Sequence, residues 1–353
     1  MKAVDFLIVG QGLAGTCLAW ELLGRGATVI VIDPGESMSA SKISAGLLNP
    51  IIGRNYNVSW RFRECFVAAE KFYRAREEDL GVSFFRELPL VRMFREEHER
   101  EVFEKKRAAG LYDGLLSEPA PDPLLPVGMV AEFGGFEIAR AGSVETALFL
   151  EASRRRFAEL GCLIEAECKP GDIDPDLMNV RCRGVEACRL VMCVGHRGAQ
   201  SQCFAWVPYR PAKGEILDIE IEGFDDRRIF NKGNWLFPAS DGRWRTGTTY
   251  SWETLDTEPT APAREVIEER LRAMLPGVGF SVVAHRAAVR PIVHGRKPVL
   301  GCHPSQPRLV LFNGLSSKGA LQAPWCAAQL AAHLLDGAPL DPEVDLAMRF
   351  PLE

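Results

Sequence analysis

The residues that announce chemistry most directly are Gly10-Gln11-Gly12-Leu13-Ala14-Gly15, which follow an apolar run, and Asp33, which closes the next apolar run. The spacing is that of a dinucleotide-binding turn. Gly10 makes the tight turn out of a strand, Gly12 lets the backbone approach a pyrophosphate, and Gly15 allows a helix to pack closely on the sheet. The pyrophosphate would sit on the positive helix N-terminus. Asp33 lies about 20 residues on, where a carboxylate accepts hydrogen bonds from ribose hydroxyls and repels a 2′-phosphate. FAD or NAD is therefore expected, and NADP is not.

The elements that must hold these groups are written into the same stretch: strand, glycine turn, helix, strand, acid, in that order over residues 6–33. A secretory leader is the other way to read an apolar N-terminus, but Gln11 and the glycines interrupt the run and Glu21 and Arg25 follow it. At 353 residues the chain has room for two domains, and 47% hydrophobic with 25% charged residues is ordinary globular composition. No stretch approaches a membrane span. The net charge of -5 argues against a general nucleic-acid binder, although a local basic patch is compatible with it. The ten cysteines include no CxxC pair and lie mostly among apolar neighbours, so they read as reduced core residues, which suggests the cytoplasm.

Beyond Asp33 a small-residue segment, Ser39 to Gly46, runs into Leu47 to Pro50. Periodicity predicts helices over 60–81, 96–109, 144–160 (with Ser143 as N-cap), 263–275 and 324–335. Strands are expected over 84–94, 162–168, 178–182, 187–194 and 309–312, with further strand signals from 214 to 249. Pro119 to Pro126 reads as a surface connection. This order predicts an α/β fold: a Rossmann-like nucleotide domain of the glutathione-reductase type assembled from 1–50, 140–205 and 285–353. Residues 51–139 and 206–284 would build a second, antiparallel-sheet substrate domain.

Four segments resemble the FAD-dependent D-amino-acid oxidase and glycine oxidase superfamily over nearly the whole chain. They are the glycine motif with Asp33; Ser41 to Leu47, similar to the segment passing beneath the flavin; Leu190 to Gly195, similar to the strand that closes the cofactor domain; and Val289-Arg-Pro291 with Pro298 to Gly301, paired with Asn313 to Pro324. That last pair resembles the carboxylate-binding Arg-Pro motif and the flavin-edge loop. Ser317-Lys318-Gly319 and the Ser-rich segment before Asn49 lean toward the oxidoreductase half of the bifunctional enzyme that modifies wobble uridine in tRNA, whose methyltransferase half has no counterpart here.

The resemblance implies a cofactor set of Gly10, Gly12, Leu13, Ala14, Gly15, Asp33, Ser41, Lys42, Ala45, Gly46, Leu47, Cys168, Val194, Gly195, Ser316, Ser317, Lys318, Gly319 and Ala320. It implies non-covalent FAD, since Arg290 stands about where sarcosine oxidases carry their flavin-bonding cysteine. With no second glycine motif, nothing would hold NAD beside the flavin. The implied reaction is hydride transfer from a small amine or amino acid to flavin N5, with O₂ or another acceptor reoxidising the cofactor and no obligatory acid-base residue. Arg290 would grip a substrate carboxylate with two parallel hydrogen bonds, unless it is an interface arginine paired with an acid. Lys318 would favour negative charge at the flavin, by its side chain or through the backbone amides of its loop. Trp235 would wall off water or serve only as core. Gly214, in Lys213-Gly214-Glu215, would allow a close backbone approach. His196, His285, His294 and His303 show no metal-ligand spacing and read as structural or solvated. The alternatives are a flavin-binding protein without turnover and, disfavoured, a tRNA-modifying oxidase acting on a carboxymethylaminomethyl uridine held by Arg290; the latter needs a basic surface, for which Arg61, Arg63, Lys105, Lys106 and Arg107 are the candidates.

Overall fold

The computed structural model describes residues 2–36, 38–117, 123–169, 172–175 and 180–352. Its first layer is a parallel sheet in the order Leu163–Ile164, Val29–Ile32, Lys2–Val9, Val185–Met192, Leu309–Asn313. Strands alternate their side chains between faces, and here both faces are buried, as parallel sheets require. Phe6, Ile8, Val31 and Val191 pack under the helices Leu13–Gly24, Thr146–Glu159 and Gly319–Asp336. Leu7, Val9, Ile30 and Leu190 face the opposite layer with Phe204, Val207 and Leu346. The outer edge of Val185–Met192 is shared: its start pairs with antiparallel Val180–Cys182, and its end with Leu309–Asn313.

The second sheet has seven strands in the order Phe280–Arg290, Ala212–Ile221, Trp244–Gly247, Trp235–Pro238, Ile229–Asn231, Leu90–Met93 and Gly135–Ile138. All its pairs are antiparallel except Ile229–Asn231 with Leu90–Met93. One face, with Leu217, Ile219 and Leu236, packs on Ile267, Leu271 and Met274 of the helix Ala261–Met274. The other face presents Ile216, Trp235 and Ala288 toward Ile43 of the short helix Ala40–Ile43. The period of two thus decides that Trp235 faces inward to the cleft while Leu236 faces the helix.

Several expectations need correction. The segment 84–94 is two strands, Phe85–Glu87 and Leu90–Met93, broken at Pro89, which has no N–H for a ladder. Ser143 caps nothing: it lies in the strand Gly142–Val144, bridged between Leu47–Leu48 and Phe85–Glu87, and the helix begins at Thr146. The last long helix begins at Gly319 rather than Pro324, with the proline inside it. Pro324 cannot donate to the carbonyl four residues back, and the buried Tyr73 hydroxyl donates to that Ala320 oxygen instead, at 3.0 Å.

The strand expected over 162–168 shortens to Leu163–Ile164. Of 178–182, Val180–Cys182 is a strand and the rest lies outside the described residues, as do residues 119–122 of the proline-rich connection. The boundary at 285 falls inside Phe280–Arg290, which stays in register with Ala212–Ile221 as far as Arg290. The helix Phe62–Leu80, assigned by position to the second domain, buries Phe62, Cys65, Phe66, Ala69, Phe72 and Tyr73 in the core under the parallel sheet.

Candidate active site

A cleft of about 780 Å³ opens at the carboxyl ends of the parallel strands, the usual place for a ligand in an open α/β sheet. Gly10, Gly12, Leu13, Ala14, Asp33, Ser41, Cys168, Val194, Gly195, Ser316 and Gly319 line it. Gly10 and Gly15 meet the steric demands that their spacing predicts. Gly10 has φ +102°, and a Cβ there would lie 2.5 Å from the Cys193 carbonyl oxygen. A Cβ on Gly15 would lie 1.9 Å from the Gly10 oxygen, so Gly15 allows the helix to pack and does not itself line the cleft. Gly12 at the N-cap has no side chain of its own to offer and the first turn of Leu13–Gly24 carries no acid, which leaves the positive end of the helix facing the cleft. Ser41 Oγ accepts from the Leu13 amide at 3.1 Å and ties the small-residue segment to this turn.

Asp33 is more engaged than its motif indicates. Its carboxylate accepts from the amides of Gln11 (2.8 Å) and Gly35 (2.7 Å) and from Arg154 Nη1 (3.1 Å). Arg154 also donates to Gln11 Oε1. A carboxylate offers about four acceptor sites, so one remains for a ribose hydroxyl, in an orientation set by the other three. Arg154, on the helix Thr146–Glu159, was missed because no local spacing connects it to Asp33.

A second cavity, about 610 Å³, lies between the two sheets and shares Ala40, Ser44 and Ser316 with the first. Ala45, Gly46 and Leu47 line it from one side and Ser316, Ser317 and Lys318 from the other, with Trp235 and Arg290 in its wall. Two residues of the expected cofactor set besides Gly15 line neither space: Lys42, whose amide bonds to Ser39 in a short helix, and Ala320, whose carbonyl is held by Tyr73. The cleft thus has a glycine turn, a helix N-terminus and an acid at one end, and opens at the other into a walled chamber. This arrangement fits a dinucleotide with its reactive ring at the junction.

Arg290 is the central feature of the chamber. Its Nη2 donates to Thr248 Oγ1 at 2.7 Å, its Nη1 to the carbonyls of Thr249 (3.1 Å) and Lys213 (3.3 Å), and its guanidinium lies 4.1 Å from the Tyr250 ring centroid. It forms no ion pair with a carboxylate among the described residues, so the interface-arginine alternative lacks its acid. Gly214 explains how the group is seated: a Cβ there would fall 2.0 Å from Nη2 and 2.2 Å from Cζ.

Lys318 immediately precedes the helix Gly319–Asp336. Burial, with Arg296 nearby, pushes its ammonium down to about 8. Its own amide is taken by the Leu315 carbonyl at 3.0 Å, so the amide that the helix start offers to the cleft is that of Gly319. Sequence reasoning missed most of the chamber's other charge. Arg54, Arg92, Arg95, Lys232 and Arg270 also line it, against the single carboxylate of Glu99. Glu99 is committed to Arg95 Nε (2.8 Å) and the Tyr56 hydroxyl (2.8 Å). A chain of net charge -5 therefore encloses a strongly positive chamber.

The histidines take other roles. His285 Nε2 is 2.8 Å from Glu215, and His303 Nδ1 accepts from the amides of Ser305 and Gln306. Cys168, at the rim of the cleft, has its Sγ 2.9 Å from that of Cys182. Among the described residues, no helix is long and apolar enough to cross a membrane.

Comparison with known proteins agrees with this geometry. The chain is 25% identical to glycine oxidase from Pseudomonas aeruginosa, covering 97% of this chain and 96% of that protein. It is 24% identical to the tRNA 5-methylaminomethyl-2-thiouridine biosynthesis bifunctional protein MnmC from Marinobacter nauticus, over 93% of this chain but only 55% of that protein, so it spans about half that relative's length. The crystal structure of glycine oxidase from Geobacillus kaustophilus superposes with a TM-score of 0.82 at 21% identity, over 99% of each chain. The DAO family model, FAD dependent oxidoreductase, matches residues 5–333. The second sheet, the cleft, the chamber and all of the first sheet but the start of Lys2–Val9 fall within that match, and the chain belongs to the DAO family of FAD-dependent oxidoreductases.

Proposed function

We propose that this protein oxidises a small amine bearing a carboxylate, an amino acid or an N-substituted glycine, with the carboxylate on Arg290. The observation that carries this reading is a guanidinium held over Gly214 by neutral acceptors alone, facing a chamber that adjoins the cofactor cleft. Such a group is costly to bury without an anion, and its planar fork matches a carboxylate. FAD, when bound in the cleft, supplies the hydride acceptor.

The chain's own residues would do the rest. Arg290 fixes the carboxylate and so the α-carbon beside the junction of the two cavities. The cations around the chamber disfavour an ammonium, which promotes the neutral amine from which hydride leaves. Trp235 and Ile216 form an apolar wall that limits water. Lys318 and the start of its helix place positive charge at the junction, where charge accumulates as electrons arrive. The product imine then leaves to hydrolyse, with O₂ or another acceptor completing the cycle.

The tRNA alternative gains little from the residues on which it depended. Arg61 is paired with Asp341 and Glu64, Arg63 donates to the Asp113 carbonyl, Lys106 to Asn55 and Asn57, and Arg107 to Glu104, which leaves Lys105 of the five exposed and without a side-chain partner among the described residues. The test is anaerobic bleaching of the bound flavin by amino acids, N-methyl amino acids and carboxymethylaminomethyl-modified tRNA. Reduction by a carboxylate-bearing amine, and much slower reduction by its amide, is expected. Equal rates for acid and amide would refute the proposal.

A further inference from the structure

We infer that the substrate amine carries a second anionic group, a carboxylate or a phosphate, at the end remote from the carboxylate on Arg290. The inference rests on the reading of Arg290 given above and extends it to the chamber's mouth. One carboxylate neutralises one guanidinium, yet the chamber holds several cations that no acid offsets.

Arg270 is linked to Arg290 through a shared residue. Its Nη1 donates to the Thr248 carbonyl at 3.4 Å, while Arg290 donates to the hydroxyl of the same threonine. Two guanidinium groups are thus anchored on one residue through neutral atoms only, and their repulsion is relieved when anions meet both. They differ in depth: Arg290 is partly buried and Arg270 is exposed.

Arg54 faces the same chamber from another direction. It sits in the turn between Ile51–Ile52 and Asn57–Val58, is exposed, and has no hydrogen-bond or ion-pair partner among the described residues. That turn is held in place by Arg92, which donates to the carbonyls of Ile51 and Gly53 at 2.5 Å each and packs 4.2 Å from the Tyr56 ring centroid. A rigid turn therefore carries an unpartnered guanidinium to the mouth. Lys232 adds charge there, but its ammonium already serves the carbonyls of Val130 and Ala273. The ordering that results is one seated guanidinium within and two exposed ones without an acidic partner among the described residues, Arg54 and Arg270, in the outer wall. It suits a small amine with anionic groups at both ends.

The test compares N-substituted glycines of similar size whose N-substituent ends in a carboxylate, a phosphonate or a neutral amide, by anaerobic stopped-flow reduction of the FAD-loaded protein. The anionic substituents are expected to exceed the amide about tenfold in reduction rate over dissociation constant, the scale of two partly exposed charge contacts. The advantage should shrink as salt rises, because exposed charges are screened. Relative rates of carboxylate and phosphonate identify which anion is preferred. In Arg54→Ala/Arg270→Gln the ratio of anionic to amide substrate should fall to about one, and in Arg54→Glu it should invert. Flavin content and circular dichroism establish that each variant is folded.

Equal reduction by anionic and amide substituents would overturn this inference and leave the carboxylate oxidation intact. Failure of every carboxylate-bearing amine would instead overturn the function from which it starts. A modified tRNA that outpaced every small dianion would also overturn it, in favour of a nucleic-acid substrate.

Discussion

Gly214→Ala isolates the Arg290 assignment, because it changes no charge and removes no hydrogen-bonding group. The new methyl would lie 2.0 to 2.2 Å from the guanidinium, where ordinary contact begins at 3.4 Å. The guanidinium must therefore retreat by more than an ångström, giving up the Thr248 and Thr249 contacts at 2.7 and 3.1 Å. The backbone has no reason to move, since Gly214 lies within a regular strand paired with Ala288 and the obstruction is the tip of a flexible side chain. Misplacing a positioning group by about 1 Å costs up to about 100-fold. Removing it in Arg290→Ala loses roughly 2 to 5 kcal/mol of transition-state stabilisation, or about 30-fold to several thousand-fold in kcat/KM. The assay is anaerobic flavin reduction by a carboxylate-bearing amine, with FAD content as the control. If Gly214 acts only by seating Arg290, Gly214→Ala/Arg290→Ala should be no worse than Arg290→Ala alone. Additive losses, or a Gly214→Ala enzyme as active as wild type, would refute the reasoning.

Arg290→Lys should fail nearly as badly as Arg290→Ala while keeping its flavin, since an ammonium cannot make the two-pronged contact; the ratio of acid to amide reduction rates reports it. Asp33→Ala should raise the FAD dissociation constant by about one to two orders of magnitude, from losing roughly 1.5 to 3 kcal/mol of charge-assisted hydrogen bonding, with little change in the reduction rate of the saturated protein; titration of the apoprotein measures the first and anaerobic stopped-flow reduction the second. Acid or heat should release all the flavin into the supernatant, and flavin left on the denatured chain would refute non-covalent binding. Lys318→Met should lower the flavin potential by roughly 30 to 60 mV, equivalent to about 1.4 to 2.8 kcal/mol. The sign of the pH effect follows from the depressed ammonium: the charge is present below about 8 and lost above it, so the difference between wild type and variant should be full at lower pH and vanish as pH rises through that value.

The nucleotide unit was legible because its determinants are close together in the chain. A turn with φ +102° at Gly10, and a helix so near that a Cβ on Gly15 would meet the Gly10 oxygen, demand glycine within a few residues of one another. The long amphipathic helices were legible for the same reason, to within a residue or two at Glu97–Ala108 and Phe62–Leu80. Where a local preference met a tertiary demand, the local reading failed. Ser143 is a good cap by type but belongs to a strand, and Pro324 looks like a helix start but lies inside a helix because Tyr73, 247 residues away from Ala320, supplies the missing donor.

By itself, then, the sequence determined the dinucleotide turn, its acid and the order of segments that marks the family. It also identified Arg290, Lys318 and Trp235 as residues to examine. Only the tertiary structure decided what surrounds them. Arg154 reaches Asp33 across 121 residues, Gly214 turns out to be the seat of Arg290, and Arg54 and Arg270 arrive at one chamber from a hairpin turn and a distant helix. Steric demands on a backbone are met within a few residues and leave a local pattern, whereas the energy of a charge depends on every group that folding brings near it, and no spacing in the chain records that.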